Sequence, residues 1–322
     1  MSTDVLCLRP EADFTRVNAP APPSLRVSYR KPDDPTLADL MRTADALVIP
    51  AVGTKLAPNL FEGGRLKLVQ VTGAGLDRLD RDALVRFGIP VANVAGGSNG
   101  ALAEYAVSMA SMLLRRFASA DAEIKKGNYA AFRTRMLGDN LAGLDGLLVG
   151  LIGFGTIGLA VAQAFQRAGC RICYHDPAPR NPAPDAQAMT LDKLLGAADV
   201  VSVHVPLLPE TNGLIGEREL SLMKPGAVLI QASRGGVVDE AALAANLRSG
   251  RLGGAAVDVF STEPPQADNP LLSLDGEAAQ RLLLTPHIAG VTRQSWAYLF
   301  RSAWENVERV LLRSEAPLSR AY

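Results

Sequence analysis

Three glycines, Gly153, Gly155 and Gly158, stand in the G-x-G-x-x-G spacing directly after the apolar run 147–152. From Ile157 on, apolar residues return at helical intervals (Ile157, Ala160, Val161, Ala164, Phe165, Ala168), so a strand, a tight turn and a helix are expected in succession, with Gly169 closing the helix. In that setting one glycine permits the turn, a second lets a pyrophosphate approach bare backbone, and the third lets helix and strand pack closely. The diphosphate would rest on the helix N-terminus, where free N–H groups and the macrodipole favour negative charge. A second apolar run, 171–175, ends on Asp176, near the distance expected of an acid that accepts hydrogen bonds from an adenosine ribose. An acid there repels a 2′-phosphate, so NAD is expected ahead of NADP, although Arg180 lies close enough to weaken that preference. Without a ligand, the same residues make a glycine-rich turn and an ordinary strand-end aspartate before Pro177.

A second set of polar residues falls where an open parallel sheet holds its ligands, beyond the carboxyl ends of the strands. Arg234 follows the predicted strand 227–231, Asp258 and Glu263 lie at and after 255–260, and His287 follows 282–285. Separated in sequence, they are expected to converge in space. Each also has a plain reading. Arg234 could pair with Asp239, Glu263 could be a turn acid before Pro264 and Pro265, and Asp258 could bond to local backbone. His287 could be a satisfied strand-end histidine, as could His175 and His204, the other two in the chain.

The elements that must position these residues alternate in the βαβ manner of a parallel sheet, with a further strand at 200–205 and a helix at 239–249. Ahead of them, short β-type runs at 5–8, 46–49, 66–71 and 89–94 predict a smaller α/β unit, and the proline-rich stretch 19–35 reads as a surface loop. In 71–77 two glycines follow a strand where backbone N–H groups could face a ligand. The flexible stretch 95–100 leads into a long helix, 101–117, which suits an interdomain crossover and hinge. The last helix, 293–312, carries Trp296, Phe300, Trp304, Val307 and Leu311 on one stripe, read as core.

Composition bounds the partners. With 322 residues the chain has room for two domains, and 33 basic residues balance 33 acidic ones, so neither nucleic acid nor an anionic membrane is an expected partner. Residues 1–10 lack the pattern of a signal peptide, and the apolar stretch 147–165 contains four glycines, which fits a buried βα unit better than a membrane span. A soluble, cytoplasmic protein is expected. Cys170 and Cys173 have C-x-x-C spacing, but residues three apart on a strand face opposite ways, so reduced thiols and no metal are expected.

Together these residues resemble the D-isomer-specific 2-hydroxyacid dehydrogenase family, whose members include 3-phosphoglycerate, glycerate/hydroxypyruvate, lactate-type, formate and phosphite dehydrogenases. The resemblance runs from about residue 66 to 293, through G-F-G-T-I-G at 153–158, H-V-P-L at 204–207, R-G-G-V-V-D-E at 234–240, A-V-D-V-F at 256–260, E-P-P at 263–265 and T-P-H-I-A-G at 285–290. It implies a Rossmann-type doubly wound sheet, 99–291, inserted into a smaller flavodoxin-like α/β substrate domain made of 1–98 and 292–322, and a homodimer formed through 102–141. It implies that Arg234 binds the substrate carboxylate and polarises the 2-oxo group, that His287 is the acid/base, and that Glu263 orients it. Ala74 and Gly75 would offer amides to the carboxylate. Gly153, Gly155, Thr156, Ile157, Gly158, Asp176, Val205, Ala232, Ser233, Arg234, Asp258, His287 and Gly290 would line NAD, with Asp258 near the nicotinamide amide.

These roles make physical sense on their own. A hydride arriving at a carbonyl carbon leaves charge on oxygen, which an imidazolium and a guanidinium both stabilise. A carboxylate beside an imidazole favours its protonated form, so reduction should fade as pH rises and oxidation improve. Departures from the family pattern are Ala95 where proline is common, Tyr105 where histidine is frequent, Ala106 where a hydroxyl residue often stands, and Thr156 where arginine often follows the second glycine. Glu263 stands where formate dehydrogenases carry glutamine, no lysine lies at Ala74 as in phosphite dehydrogenases, and 50–53 lacks the arginine of phosphoglycerate dehydrogenases. The expected substrate is therefore a small unphosphorylated 2-oxo or 2-hydroxy acid of hydroxypyruvate or glyoxylate type. The alternative is a protein that senses NAD(H) on the same scaffold, which would need only the cofactor site.

Overall fold

The computed structural model describes residues 3–178 and 185–322, so Arg180 lies outside the described residues. The chain divides into two compact units, one made of its two ends, up to Ser98 and from Val291, the other of Asn99–Gly290. The second boundary falls one residue before the expected one. Ala289 is tied to Asp258 by its amide (2.8 Å), whereas the Thr292 hydroxyl already accepts from the Ser295 amide (3.1 Å) and caps the last helix.

The first unit is built on five parallel strands, β1 (Asp4–Cys7), β2 (Arg26–Tyr29), β3 (Ala46–Ile49), β4 (Leu68–Val71) and β5 (Val91–Ala92), in the flavodoxin-like order β2-β1-β3-β4-β5. β3 and β4 are buried along their whole length, as their near-continuous apolar sequences require of strands covered on both faces. The helix Arg293–Leu311 packs its stripe on this sheet, with Phe300 and Trp304 centred 4.6 and 5.0 Å from the Phe14 ring, so the stripe is core. The chain end returns to pair with β5, where the Ala321 amide donates to Val91 (2.8 Å) and the Val91 amide to Tyr322 (3.1 Å). The stretch 19–35, expected to be all loop, contains β2. This strand hydrogen-bonds to β1 alone at the sheet edge, and none of its residues is fully buried, so no apolar run announces it.

The second unit is a seven-stranded parallel sheet. Its strands are β6 (Leu148–Ile152), β7 (Arg171–His175), β8 (Ala186–Ala188), β9 (Val200–Val203), β10 (Val228–Gln231), β11 (Gly254–Val257) and β12 (Leu282–Leu284), in the order β12-β11-β10-β9-β6-β7-β8. The chain runs outward from β6 through β7 and β8, then crosses to β9 on the other side of β6. The doubly wound reversal, where such sheets open a crevice, therefore lies between β6 and β9. Helices Asn99–Leu114 and Thr156–Arg167 cover one face, and Leu191–Ala197, Glu217–Leu222 and Glu240–Arg248 the other.

The strand ends are flush. His175, Ile152, Val203, Gln231, Val257 and Leu284 are neighbours across the sheet, and each is the last residue of its strand. The loops leaving these strands therefore open on one edge. Two expectations are corrected here: the edge strand β8 was not foreseen, and the long helix ends at Leu114, with Arg116 at a left-handed φ of 51° before a separate helix, Phe117–Lys125. No glycine or proline marks that break. Among the described residues no helix is long and apolar enough to cross a membrane, no group of side chains could hold a metal ion, and the three cysteines are buried and unpaired.

Candidate functional site

The glycine turn has the geometry its spacing predicts. Gly153 follows β6 at a φ of 92°, and a Cβ there would lie 2.5 Å from the His204 carbonyl oxygen and 2.9 Å from Val205 Cγ1. A Cβ at Gly158 would lie 2.3 Å from the Gly153 carbonyl oxygen, so the helix Thr156–Arg167 can close on the strand only with glycine there. At Gly155 nothing lies within 4 Å of a Cβ position, and no side chain caps the helix start. Bare backbone, helix amides and the dipole's positive end are thus presented together, which suits a diphosphate. Asp176, one residue past β7, accepts the Phe154 amide on Oδ2 (2.7 Å) and the Ala178 amide on Oδ1 (2.8 Å), and each oxygen keeps acceptor capacity for a sugar hydroxyl. With Val205 at the β6/β9 reversal, these residues fit a dinucleotide.

Arg234 stands three residues past β10 on a loop tied from below. The buried Gln231 donates from Nε2 to the Arg234 carbonyl (2.8 Å) and accepts the Ser233 hydroxyl on Oε1 (2.8 Å). Arg234 Nη1 donates to the Ser233 carbonyl (2.7 Å), and Asp239 Oδ1 caps the helix Glu240–Arg248 by accepting the amides of Ala241 and Ala242. Gly235 presses on the loop that leaves the neighbouring strand, so that an added Cβ would lie 1.8 Å from the Phe260 carbonyl oxygen and 2.6 Å from the Ser261 nitrogen. We expect Gly235→Ala to force the two loops apart at a cost of about 1–3 kcal/mol, the usual cost of overpacking. Denaturation should show a lower midpoint; an unchanged midpoint would mean that the loops give way freely.

The loop after β11 carries the next two residues. Glu240 fixes it by accepting the Ser261 amide (2.6 Å) and hydroxyl (2.7 Å), and the Phe260 amide donates to Glu263 Oε1 (3.1 Å). The other carboxylate oxygen, Oε2, lies 2.8 Å from His287 Nδ1. Both side chains are about a third exposed, at 33% and 27%, so the pair is open enough to meet a ligand. Asp258, 1% exposed, accepts the Thr285 hydroxyl (2.6 Å) and the Ile288 amide (2.8 Å) on Oδ1 and the Ala289 amide (2.8 Å) on Oδ2, while its carbonyl accepts the His287 amide (2.8 Å). Asp258 thus builds the turn that carries His287.

The three histidines are distinguished by their surroundings. His175 Nδ1 lies 3.1 Å from the Met189 carbonyl. His204 meets Ser202 Oγ through Nε2 (2.8 Å), and burial pushes its pKa down to about 4, so it stays neutral through the physiological range. Only His287 has a carboxylate partner among the described residues. With Nδ1 facing Glu263, its Nε2 is the nitrogen able to exchange a proton with a ligand.

The structure brings Gly153, Gly155, Gly158, Asp176, Val205, Arg234, Asp258, Glu263 and His287 to one edge of one sheet. Thr156 and Ile157 open the helix, Ala232 and Ser233 lead into Arg234, and Gly290 ends the His287 segment. Ala74 and Gly75 belong to the other unit, where they follow β4; Asn93 Nδ2 donates to the Ala74 carbonyl (2.8 Å). Sequence reasoning missed Gln231, Thr285 and a functional setting for Tyr105. Each left a signal: Gln231 as the polar last residue of the otherwise apolar Val-Leu-Ile-Gln strand, Thr285 as the first residue of the T-P-H-I-A-G motif, and Tyr105 as a departure from the frequent histidine.

The family model for the D-isomer specific 2-hydroxyacid dehydrogenase NAD binding domain matches residues 107–289. The chain is 39% identical over 260 residues to the (S)-sulfolactate dehydrogenase of Chromohalobacter salexigens, covering 79% of this chain and 78% of that one. It is 35% identical over 246 residues to the D-3-phosphoglycerate dehydrogenase of Archaeoglobus fulgidus, covering 75% of this chain but only 45% of that longer one. Among solved structures, the TT0316 protein of Thermus thermophilus matches with a TM-score of 0.85 at 30% identity, over 99% of this chain and 100% of that one. The glycine turn, the strand-end arginine and the histidine–glutamate pair thus stand on a chain that belongs to the D-isomer specific 2-hydroxyacid dehydrogenase family.

Proposed function

We propose that this protein transfers a hydride between NAD(H) and a small unphosphorylated 2-oxo or 2-hydroxy acid, acting on the D-isomer. The observation that carries the reading is the 2.8 Å contact of His287 with Glu263, on the sheet edge that also holds the glycine turn and Arg234. Bound nicotinamide supplies or accepts the hydride. Arg234 binds the substrate carboxylate and draws charge onto the 2-oxo oxygen. His287 Nε2 gives the oxygen its proton in reduction and takes it back in oxidation, while Glu263 holds the ring by Nδ1 and balances its charge.

In this reading the amides at Gly153, Gly155, Thr156, Ile157 and Gly158 hold the diphosphate and Asp176 the adenosine ribose. Val205, Ala232, Ser233, Asp258 and Gly290 line the nicotinamide side. Removing the ribose acceptor in Asp176→Ala should raise the KM for NADH by about tenfold or more, the worth of a hydrogen bond to a charged group, and leave NADPH less disfavoured. Steady-state kinetics with both cofactors check this, and an unchanged preference would remove Asp176 from the ribose site. The same reading pairs two copies through 102–141, where Phe117, Ile124, Tyr129 and Leu137 expose apolar side chains.

The deciding experiment is NADH oxidation against glyoxylate, pyruvate, hydroxypyruvate, phenylpyruvate and branched 2-oxo acids, with sulfopyruvate and phosphohydroxypyruvate beside them because of the two relatives. Turnover of an unphosphorylated acid is expected. Preference for phosphohydroxypyruvate would overturn the substrate class, and tight NADH binding without turnover of any acid would point to a sensor.

A further inference from the structure

His287 sits at a φ of 54°, a left-handed conformation that a residue with a bulky side chain enters only when its surroundings impose it. The contacts that impose it reach well beyond the turn. The Thr285 hydroxyl donates to Asp258 Oδ1 at 2.6 Å, and a hydroxyl has one proton to give. The Tyr105 phenol, 2.8 Å from Thr285 Oγ1, must therefore be the donor in that contact, which sets the direction of the chain: Tyr105 to Thr285 to Asp258. Burial pushes the Tyr105 phenol up to about 12, so it remains a donor at any working pH. Asp258 then receives the amides of Ile288 and Ala289 on its carboxylate and that of His287 on its carbonyl, gripping the histidine from both sides in sequence. Tyr105 lies on the helix Asn99–Leu114, whose packing against the helix Thr156–Arg167 and the sheet makes it a rigid anchor.

We propose that Tyr105 and Thr285 are positioning residues for His287: their hydrogen-bond chain through Asp258 fixes the turn 285–289 so that Nε2 of the imidazole is aimed at the reacting oxygen. The proposal rests on the reading of His287 as the acid/base. Neither residue touches substrate in this account, and neither is needed to hold NADH by the glycine turn or Asp176. Their loss therefore acts on the chemical step, where a displacement of about 1 Å can cost as much as a hundredfold in rate.

The test compares Tyr105→Phe, Thr285→Val and Thr285→Ser in the full chain, alone and combined with His287→Asn. Rates of NADH oxidation are measured with hydroxypyruvate and glyoxylate, and NADH affinity by fluorescence titration. We expect Tyr105→Phe and Thr285→Val each to lower kcat by about tenfold, within the range that misplacement of a catalytic group allows, with the KM for the acid and NADH affinity changed far less, because the glycine turn and Asp176 are untouched. Thr285→Ser, which keeps the hydroxyl, should retain the native rate. In the His287→Asn background neither Tyr105→Phe nor Thr285→Val should lower the rate further, because the group they position is gone. Native kcat in both single variants, or the same loss with and without His287, would overturn the proposal. Should Thr285→Val fail to fold, Tyr105→Phe, which only removes an oxygen, carries the test.

An NMR readout separates this inference from the reading beneath it. The chain has three histidines, so their ring signals can be assigned by His175→Asn and His287→Asn. Tyr105→Phe should shift or broaden the His287 signal and leave that of His175 in place; an unmoved His287 signal overturns the positioning role whatever the rates show. Native kcat in His287→Asn itself would instead remove the acid/base reading.

Discussion

His287→Asn should lower kcat for reduction of a 2-oxo acid by about 10²–10⁴-fold, the contribution typical of a positioned proton donor, while NADH affinity changes far less. The sheet separates the two effects. His287 lies beyond β12, whereas the glycine turn and Asp176 lie beyond β6 and β7, with three strands between β6 and β12. Asparagine keeps a polar side chain of smaller size but has no proton to exchange near neutral pH, so the loss falls on the chemical step. Glu263→Gln should be the milder variant. The glutamine still offers an oxygen to Nδ1, so the ring keeps its orientation, but it brings no negative charge to balance the ring when Nε2 holds the proton. kcat should therefore fall, but less than in His287→Asn. Rapid-mixing measurements of the chemical step read both effects, and a native kcat in His287→Asn would end its assignment as the acid/base.

The features legible in the sequence are those whose cause is local. The glycine spacing announced its turn because each glycine answers to a steric demand in its own neighbourhood: Gly153 against the His204 carbonyl and Gly158 against Gly153 itself. Arg234, Glu263 and His287 could be placed because a buried parallel strand is a readable apolar run, and flush strand ends bring the loop residues beyond them onto one edge. β2 and β8 escaped because an edge strand pairs with a single neighbour and needs no continuous apolar sequence. The Tyr105–Thr285 contact joins residues 180 positions apart, and no local spacing encodes it. Asp258 shows a limit of a different kind. Its position at the strand end was readable, but its burial and the grip of its carboxylate on three donors from 285–289 belong to the tertiary structure. The plain reading, a partner for local backbone, is corrected: the amides that Asp258 accepts are backbone groups, but of Ile288 and Ala289, far along the chain, and the carboxylate keeps acceptor capacity on Oδ2 for a cofactor amide.

Arg234→Ala should lower kcat/KM by on the order of a hundredfold or more, as losing a donor to the developing oxyanion does. The loop itself should survive the change. The change removes the Nη1 bond to the Ser233 carbonyl, but Gln231 still holds the main-chain carbonyl of residue 234 and, through Oε1, the Ser233 hydroxyl, and Gly235 stays against Phe260. The denaturation midpoint should accordingly move far less than it does in Gly235→Ala, where the backbone contact is what breaks. Arg234→Lys distinguishes charge from geometry. A lysine restores one positive charge but not the planar fork that engages a carboxylate with two parallel N–H bonds while facing the 2-oxo group, so it should recover only part of the loss. If charge alone mattered, lysine would return the native rate. If Arg234 had no part in binding or polarising the acid, alanine itself would be silent with the substrate that the panel identifies, and the sheet edge would have to supply its cation from elsewhere.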